Sequence, residues 1–296
     1  MNNERTAGIV YAFAAYVLWG ILPIYWKLID NVFSFEILAN RIVWSFAFTI
    51  AIIGITKKWQ ELKALLKDKK QMIFIFIASV LIAFNWGLYI WAVNSDKILE
   101  ASLGYYINPL FAVALGVVLF KEKLNLWQAA ALIIAAIGVL IKTLQFGQIP
   151  WVSLGLAISF GLYGATKKVI KANSITGLTL ETIMLTPLAL AYMASRQLAG
   201  ASAFQSESSI TIFLLIGSGV VTAIPLMLFA SSAKRLPMSV LGFVQYISPT
   251  INLFIGIFMY QESFTYIDMI GFCFIWSALA IYSVSQLRDN ATKSLA

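Results

Sequence analysis

At 296 residues, 60% hydrophobic and only 11% charged, the chain has too few polar side chains to clothe a water-soluble fold, in which about a quarter of residues are charged. Its net charge of +8 suggests nucleic acid at first sight, but the basic residues sit in short loops between apolar runs, where membrane topology accounts for them. The lack of histidine and the lone Cys273 remove the commonest metal ligand, the commonest general base and any internal disulfide, so no cofactor is expected.

Crossing about 30 Å of hydrocarbon at about 1.5 Å per residue takes roughly 20 apolar residues. Ten runs qualify, at about 7–26, 35–56, 72–93, 100–120, 125–142, 150–167, 177–195, 210–231, 239–260 and 265–286. The first is too long for a signal h-region and is followed by no small-residue cleavage site, so it reads as a retained span. All should be helices, because lipid offers no partner to an open strand edge. A phosphate-binding loop of the Gly-x-x-x-x-Gly-Lys-Ser/Thr type is missing, which excludes a built-in ATPase.

Lysine and arginine set the orientation. The segment 57–70 carries Lys57, Lys58, Lys63, Lys67, Lys69 and Lys70 and reads as a cytoplasmic loop. Alternation then places Arg5, Lys121, Lys123, Lys167, Lys168, Lys171, Lys234, Arg235, Arg288 and Lys293 on that side. Lys27, Lys97, Lys142 and Arg196 fall opposite, and Arg41 stays inside a span. Both termini are therefore expected in the cytoplasm.

The chain also repeats itself. Shifted by 140, Tyr106-Ile107-Asn108-Pro109 falls on Tyr246-Ile247-Ser248-Pro249, Gly116 on Gly256 and Glu122 on Glu262. A shift of 141 sets Gly20 on Gly161 and Lys27 on Lys168. Each half holds five spans, an odd number, so the second copy is expected upside down. The turn Lys121-Glu122-Lys123 becomes Gln261-Glu262-Ser263, keeping the carboxylate and losing both lysines where the copy faces outward. Inverted repeats of this kind belong to carriers whose site lies near the midplane.

The candidate site residues follow from polar groups at membrane depth. In the fourth span Tyr105, Asn108, Ala112 and Gly116 share a helix face, and in the ninth Gln245, Ser248, Asn252 and Gly256 do the same beside Tyr246. Pro109 and Pro249 each delete a backbone donor and should loosen both helices. Asn85, Trp86 and Tyr89 in the third span would suit a planar or amphipathic solute. Each of these also reads as helix-packing glue or an aromatic belt. Arg41, about six residues and 9 Å into the second span, is expected to pair with Glu36 or Glu100, or to snorkel. No carboxylate is placed as an evident proton carrier, so coupling to a proton or a counter-solute is left open.

These residues resemble the EamA repeat of the drug/metabolite transporter superfamily. Arg41 matches the arginine of its second helix, and Pro109, Gly116, Glu122 and Gly138 match helices four and five. Ala101-Ser102-Leu103-Gly104-Tyr105, Asn108-Pro109-Leu110 and Leu241-Gly242-Phe243-Val244-Gln245-Tyr246 resemble its RarD branch in particular. The second half departs from the pattern, with Thr186 at the arginine position and Ala278 in place of Gly138.

The resemblance implies an all-α polytopic protein of the bacterial inner membrane. Its ten transmembrane helices would form two inverted five-helix repeats, 1–144 and 145–296. It implies a secondary carrier of small organic solutes and not an enzyme. Export is the favoured direction, with uptake or a passive facilitator as the alternative. Its partners would be the solute and the lipid bilayer, not nucleic acid, and it would act as a monomer or weak homodimer.

Overall fold

The computed structural model describes residues 2–95, 97–261 and 265–295. Glu262 and Ser263, on which one arm of the repeat rests, lie outside the described residues. These contain thirteen helices and no strand. The first half supplies α1 (Asn2–Lys27), α2 (Ser34–Thr56), α3 (Trp59–Lys67), α4 (Lys69–Asn94), α5 (Ile98–Phe120) and α6 (Leu126–Phe146). The second supplies α7 (Trp151–Val169), α8 (Ser174–Leu198), α9 (Ala203–Ser206), α10 (Ser209–Ala233), α11 (Met238–Gln245), α12 (Ile247–Met259) and α13 (Tyr266–Leu295).

Nine helical stretches among the described residues are long and apolar enough to cross a membrane, with α11 and α12 counted as one. This is a multi-pass membrane protein. The expected span 150–167 coincides with the 19-residue α7, which does not reach that apolarity. It carries Ser153, Ser159, Lys167 and Lys168 besides three glycines.

Two expectations need correction. The segment 57–70 is not a plain loop, because Leu62 and Leu65 put a buried apolar stripe on α3 while its lysines face outward. Asp68 then caps α4, accepting from the Gln71 N–H at 3.1 Å. The run 239–260 is not one helix either, since it breaks at Tyr246 into α11 and α12. Pro249 lacks the N–H that residue 245 would accept, and Tyr246 donates three residues back to the Phe243 carbonyl at 3.3 Å.

Packing runs mainly between the halves. α5 lies on α7 and α11, α6 on α13, α2 on α8 and α10, α4 on α7 and α8, and α1 on α10 and α12. Small residues permit the closest crossings, as lipid-embedded helices require. A Cβ on Gly219 of α10 would stand 2.2 Å from the Trp44 carbonyl carbon of α2. Likewise a Cβ on Gly242 of α11 would stand 2.6 Å from the Pro109 oxygen of α5. The core collects around Tyr16, Tyr163, Phe229, Met238 and Leu241, all buried.

Candidate functional site

Arg41 sits two turns into α2, and its guanidinium is held on three sides. Nε donates to Thr222 Oγ1 of α10 at 3.0 Å. The planar group lies 4.6 Å from the Trp26 ring centre and 4.8 Å from that of Trp86. Tyr89 of α4 and Tyr105 of α5 pair edge to face at 6.3 Å within electrostatic reach of Arg41. The two tyrosines are 37% and 42% exposed.

Neither expected partner of Arg41 is available. The Glu36 carboxylate faces away from it, in an ion pair with Arg196 at 3.5 Å. It also accepts from the Ala203 N–H at 2.7 Å and from Ser202 at 3.1 Å. Glu100 pairs with Lys97 at 3.3 Å and accepts from the Val152 N–H at 3.2 Å. Each carboxylate holds the start of a neighbouring helix instead, where backbone donors lack internal partners.

The remaining candidates divide between glue and lining. Asn85 is occupied, donating to the Leu156 carbonyl and Ser159 Oγ of α7, both at 2.9 Å. Ser248 donates to the Tyr16 carbonyl at 2.7 Å, and Tyr246 OH to the Tyr106 carbonyl at 3.3 Å. Tyr16 OH approaches Gln245 Oε1 at 3.5 Å, a weak bond. Asn108 and Gln245 meet at a void of about 10 Å³ bounded by Tyr16, Ala112 and Phe229, which is room for one water at most. The Oδ1 atoms of Asn108 and Asn252 are buried with no partner among the described residues. An acceptor left bare in an apolar interior costs about 1–3 kcal/mol.

The far end of the bundle is closed by charges. Glu122, just past α5, accepts from the backbone N–H groups of Met238 at 2.7 Å and Ser239 at 2.9 Å, and from Ser239 Oγ at 2.8 Å. Lys168 donates to the Leu236 carbonyl at 2.5 Å. Deeper in, Lys167 and Glu181 form an ion pair of 2.5 Å at 2% and 1% exposure. Tyr163 OH donates to the same carboxylate at 3.1 Å. Outside them opens a cleft of about 340 Å³ lined by Glu61, Lys171, Asn173 and Lys234. There burial, reinforced by the Lys167 charge, pulls the Lys234 ammonium down to about 8.

The EamA-like transporter family matches this chain over residues 6–144. An uncharacterized transporter, YojE of Bacillus subtilis (strain 168), is 47% identical over 99% of both chains. The protein RarD of Escherichia coli (strain K12) is 41% identical over 99% of this chain and 100% of its own length. The chain belongs to the EamA-like transporter family. Within the family it falls in the RarD branch, whose RarD from Salmonella typhi is 42% identical over 99% of this chain. A solved crystal structure superposes with a TM-score of 0.70 over 95% of this chain and 98% of its own, at 18% identity, which speaks to fold alone.

Sequence reasoning missed several residues that the EamA-like fold brings together. Trp26 ends the first apolar run with no role assigned to it, yet its ring lies 4.6 Å from the Arg41 guanidinium. Thr222 gives no signal in a run of apolar neighbours. Lys167, placed on the cytoplasmic side by charge alternation, lies buried in an ion pair. Its spacing of four from Tyr163 turns it inward to Glu181. The spacing was the available signal.

Proposed function

We propose that this protein is a secondary carrier that moves small organic solutes by alternating access. Residues 1–144 and 145–296 would form two inverted five-helix halves rocking about a central site. The observation that carries the reading is the symmetry of the packing. Let α1, α2, α4, α5 and α6 exchange with α7, α8, α10, α11–α12 and α13. The contact of α5 with α7 then becomes that of α11–α12 with α1, α4 with α7 becomes α10 with α1, and α2 with α10 becomes α8 with α4. The pairs α2–α8, α5–α11 and α6–α13 map onto themselves. A two-fold axis between two five-helix units supports the inverted repeat, and α7 becomes the tenth span. At about 28 Å it is long enough, and neighbouring helices cover its polar side.

Access is unequal at the two ends. Tyr89 and Tyr105 are open at one, whereas Val113, Met238 and Leu241 are 1% exposed at the other. With the lysine-rich end in the cytoplasm, this state faces outward. The cytoplasmic side is shut where Glu122 fastens α11 and Gly242 seats on Pro109. The EamA-like membership supports solute transport, and the lack of a phosphate loop supports a non-ATP mechanism. Export follows the resemblance.

The reading is tested with a disulfide engineered between α5 and α11 at positions that leave Glu122 in place, in a Cys273→Ser background. Oxidation should stop solute counterflow in proteoliposomes and reduction restore it. Undiminished counterflow in the fully oxidised protein would overturn the rocking mechanism. Flux that neither saturates nor shows counterflow favours a passive facilitator.

A further inference from the structure

We infer that Arg41 is the anchor for a carboxylate on the transported solute, so that the substrates are small organic acids with a flat or apolar body. The inference rests on the carrier reading above and names the chemistry of its site. A cation at membrane depth is normally paired, and three other cations on the long helices obey that rule, while Lys168 at the end of α7 takes a backbone carbonyl. Lys142 has Asp268 at 2.8 Å, Lys167 has Glu181 at 2.5 Å, and Arg196 has Glu36 at 3.5 Å. Arg41 has no carboxylate within 4.0 Å among the described residues.

Its one hydrogen bond uses Nε. The two terminal amino groups carry none among the described residues.

The arrangement fixes how a ligand would meet it. Trp26 and Trp86 cover the guanidinium within 5 Å. Stacking of this kind holds the plane without consuming the donors at its edge. Thr222 fixes the Nε edge, leaving the fork of amino groups to point elsewhere. Two parallel N–H donors at that spacing match the two oxygens of a carboxylate. A neutral hydroxyl or amide could use only part of the fork. Among the described titratable residues only Tyr105 and Tyr89 act on Arg41 electrostatically and no second cation does, so a singly charged group balances the site better than a dianion such as phosphate. The exposed rings of Tyr89 and Tyr105 offer the surface for the body of the solute.

The test uses the purified full-length protein in lipid nanodiscs and follows its thermal unfolding. The probes are 3-phenylpropionate, phenylalanine and the neutral 3-phenylpropionamide. The acid should raise the melting temperature saturably, and the amide should not at equal concentration. A matching shift from phenylalanine extends the class to zwitterions, and its absence restricts the class to net anions; both require the carboxylate.

Arg41→Lys, which keeps the charge and loses the fork, should weaken the acid by about tenfold or more. Thr222→Val, which frees the Nε edge, should weaken it severalfold, read as the shift above that variant's own ligand-free melting temperature. Equal stabilisation by acid and amide, no shift from either acid, or unchanged affinity in both variants overturns the inference.

Counterflow separates the two readings. Solute exchange that is indifferent to charge and to Arg41→Lys would remove the acid site but keep the carrier. Arg41-dependent binding of acids that are never exchanged would keep the site and remove the carrier.

Discussion

The same four-residue motif has folded in two ways. In α5, Tyr106-Ile107-Asn108-Pro109 lies inside an unbroken 23-residue helix. In the second copy Tyr246-Ile247-Ser248-Pro249 straddles the junction of α11 and α12. Each proline deletes one backbone donor, so proline does not by itself decide the outcome. The surroundings differ. The start of α11 is fastened by Glu122 and its body is pressed on Pro109 through Gly242. The start of α5 has no side-chain cap, and its Tyr105 is open. Gln245, at the position matching Tyr105, is 7% exposed. The two copies touch, Tyr246 OH reaching the Tyr106 carbonyl at 3.3 Å, so the contacts around each copy, and not a separate location, set the difference.

The sharpest way to break that contrast is to release the fastened copy. Glu122→Ala removes the acceptor for three bonds and should cost about 3 kcal/mol of stability, since hydrogen bonds to charged groups contribute about 1.5–3 kcal/mol each and this carboxylate is partly solvated. Labelling of a cysteine at Ala112 by an impermeant maleimide from the cytoplasmic side should accelerate; an unchanged rate would show that Glu122 does not hold that end shut.

Gly242→Ala should cost about 2 kcal/mol in chemical unfolding, because its methyl would meet the Pro109 oxygen and backbone cannot yield cheaply. The proline pair tests the break itself. Pro249→Ala gives Gln245 a backbone donor and should slow counterflow more than Pro109→Ala, by about 1 kcal/mol of barrier or roughly fivefold. Equal effects would mean that the two helices flex alike.

The smallest effect concerns Lys234, beside the turn into α11. Its ammonium titrates near 8 in the fold, against an ordinary value of 10.5. Between those values the unfolded chain binds the extra proton, so stability should rise with pH across that window. The groups that bear on it are Lys167, Glu181, Glu61 and Arg235. Lys234→Met should flatten the rise, as read from melting temperatures at pH 7.5 to 10.

Much of this fold was legible because a membrane span is a length of apolar chain, and nothing else in a sequence mimics twenty such residues. The helix α3 escaped because its leucines are scattered among lysines that topology already explained. The proline signal was read equally at Pro109 and Pro249, but only contacts from the other half decide which helix breaks. Arg41 stood out as a charge in hydrocarbon. Its company did not, since Trp26 and Thr222 come from two other helices and carry no local pattern. Glu36, one turn away on α2, was the natural guess and points elsewhere.

The Glu122 fastening has a genetic consequence. Two of its three donors are main-chain N–H groups, at Met238 and Ser239. Most side-chain changes at those two positions leave the amides in place, proline being the exception. Among the residues of this fastening, mutational fragility therefore falls on one codon, that of Glu122, and a suppressor of its loss should arise by a new acceptor elsewhere and not by a compensating change at Met238.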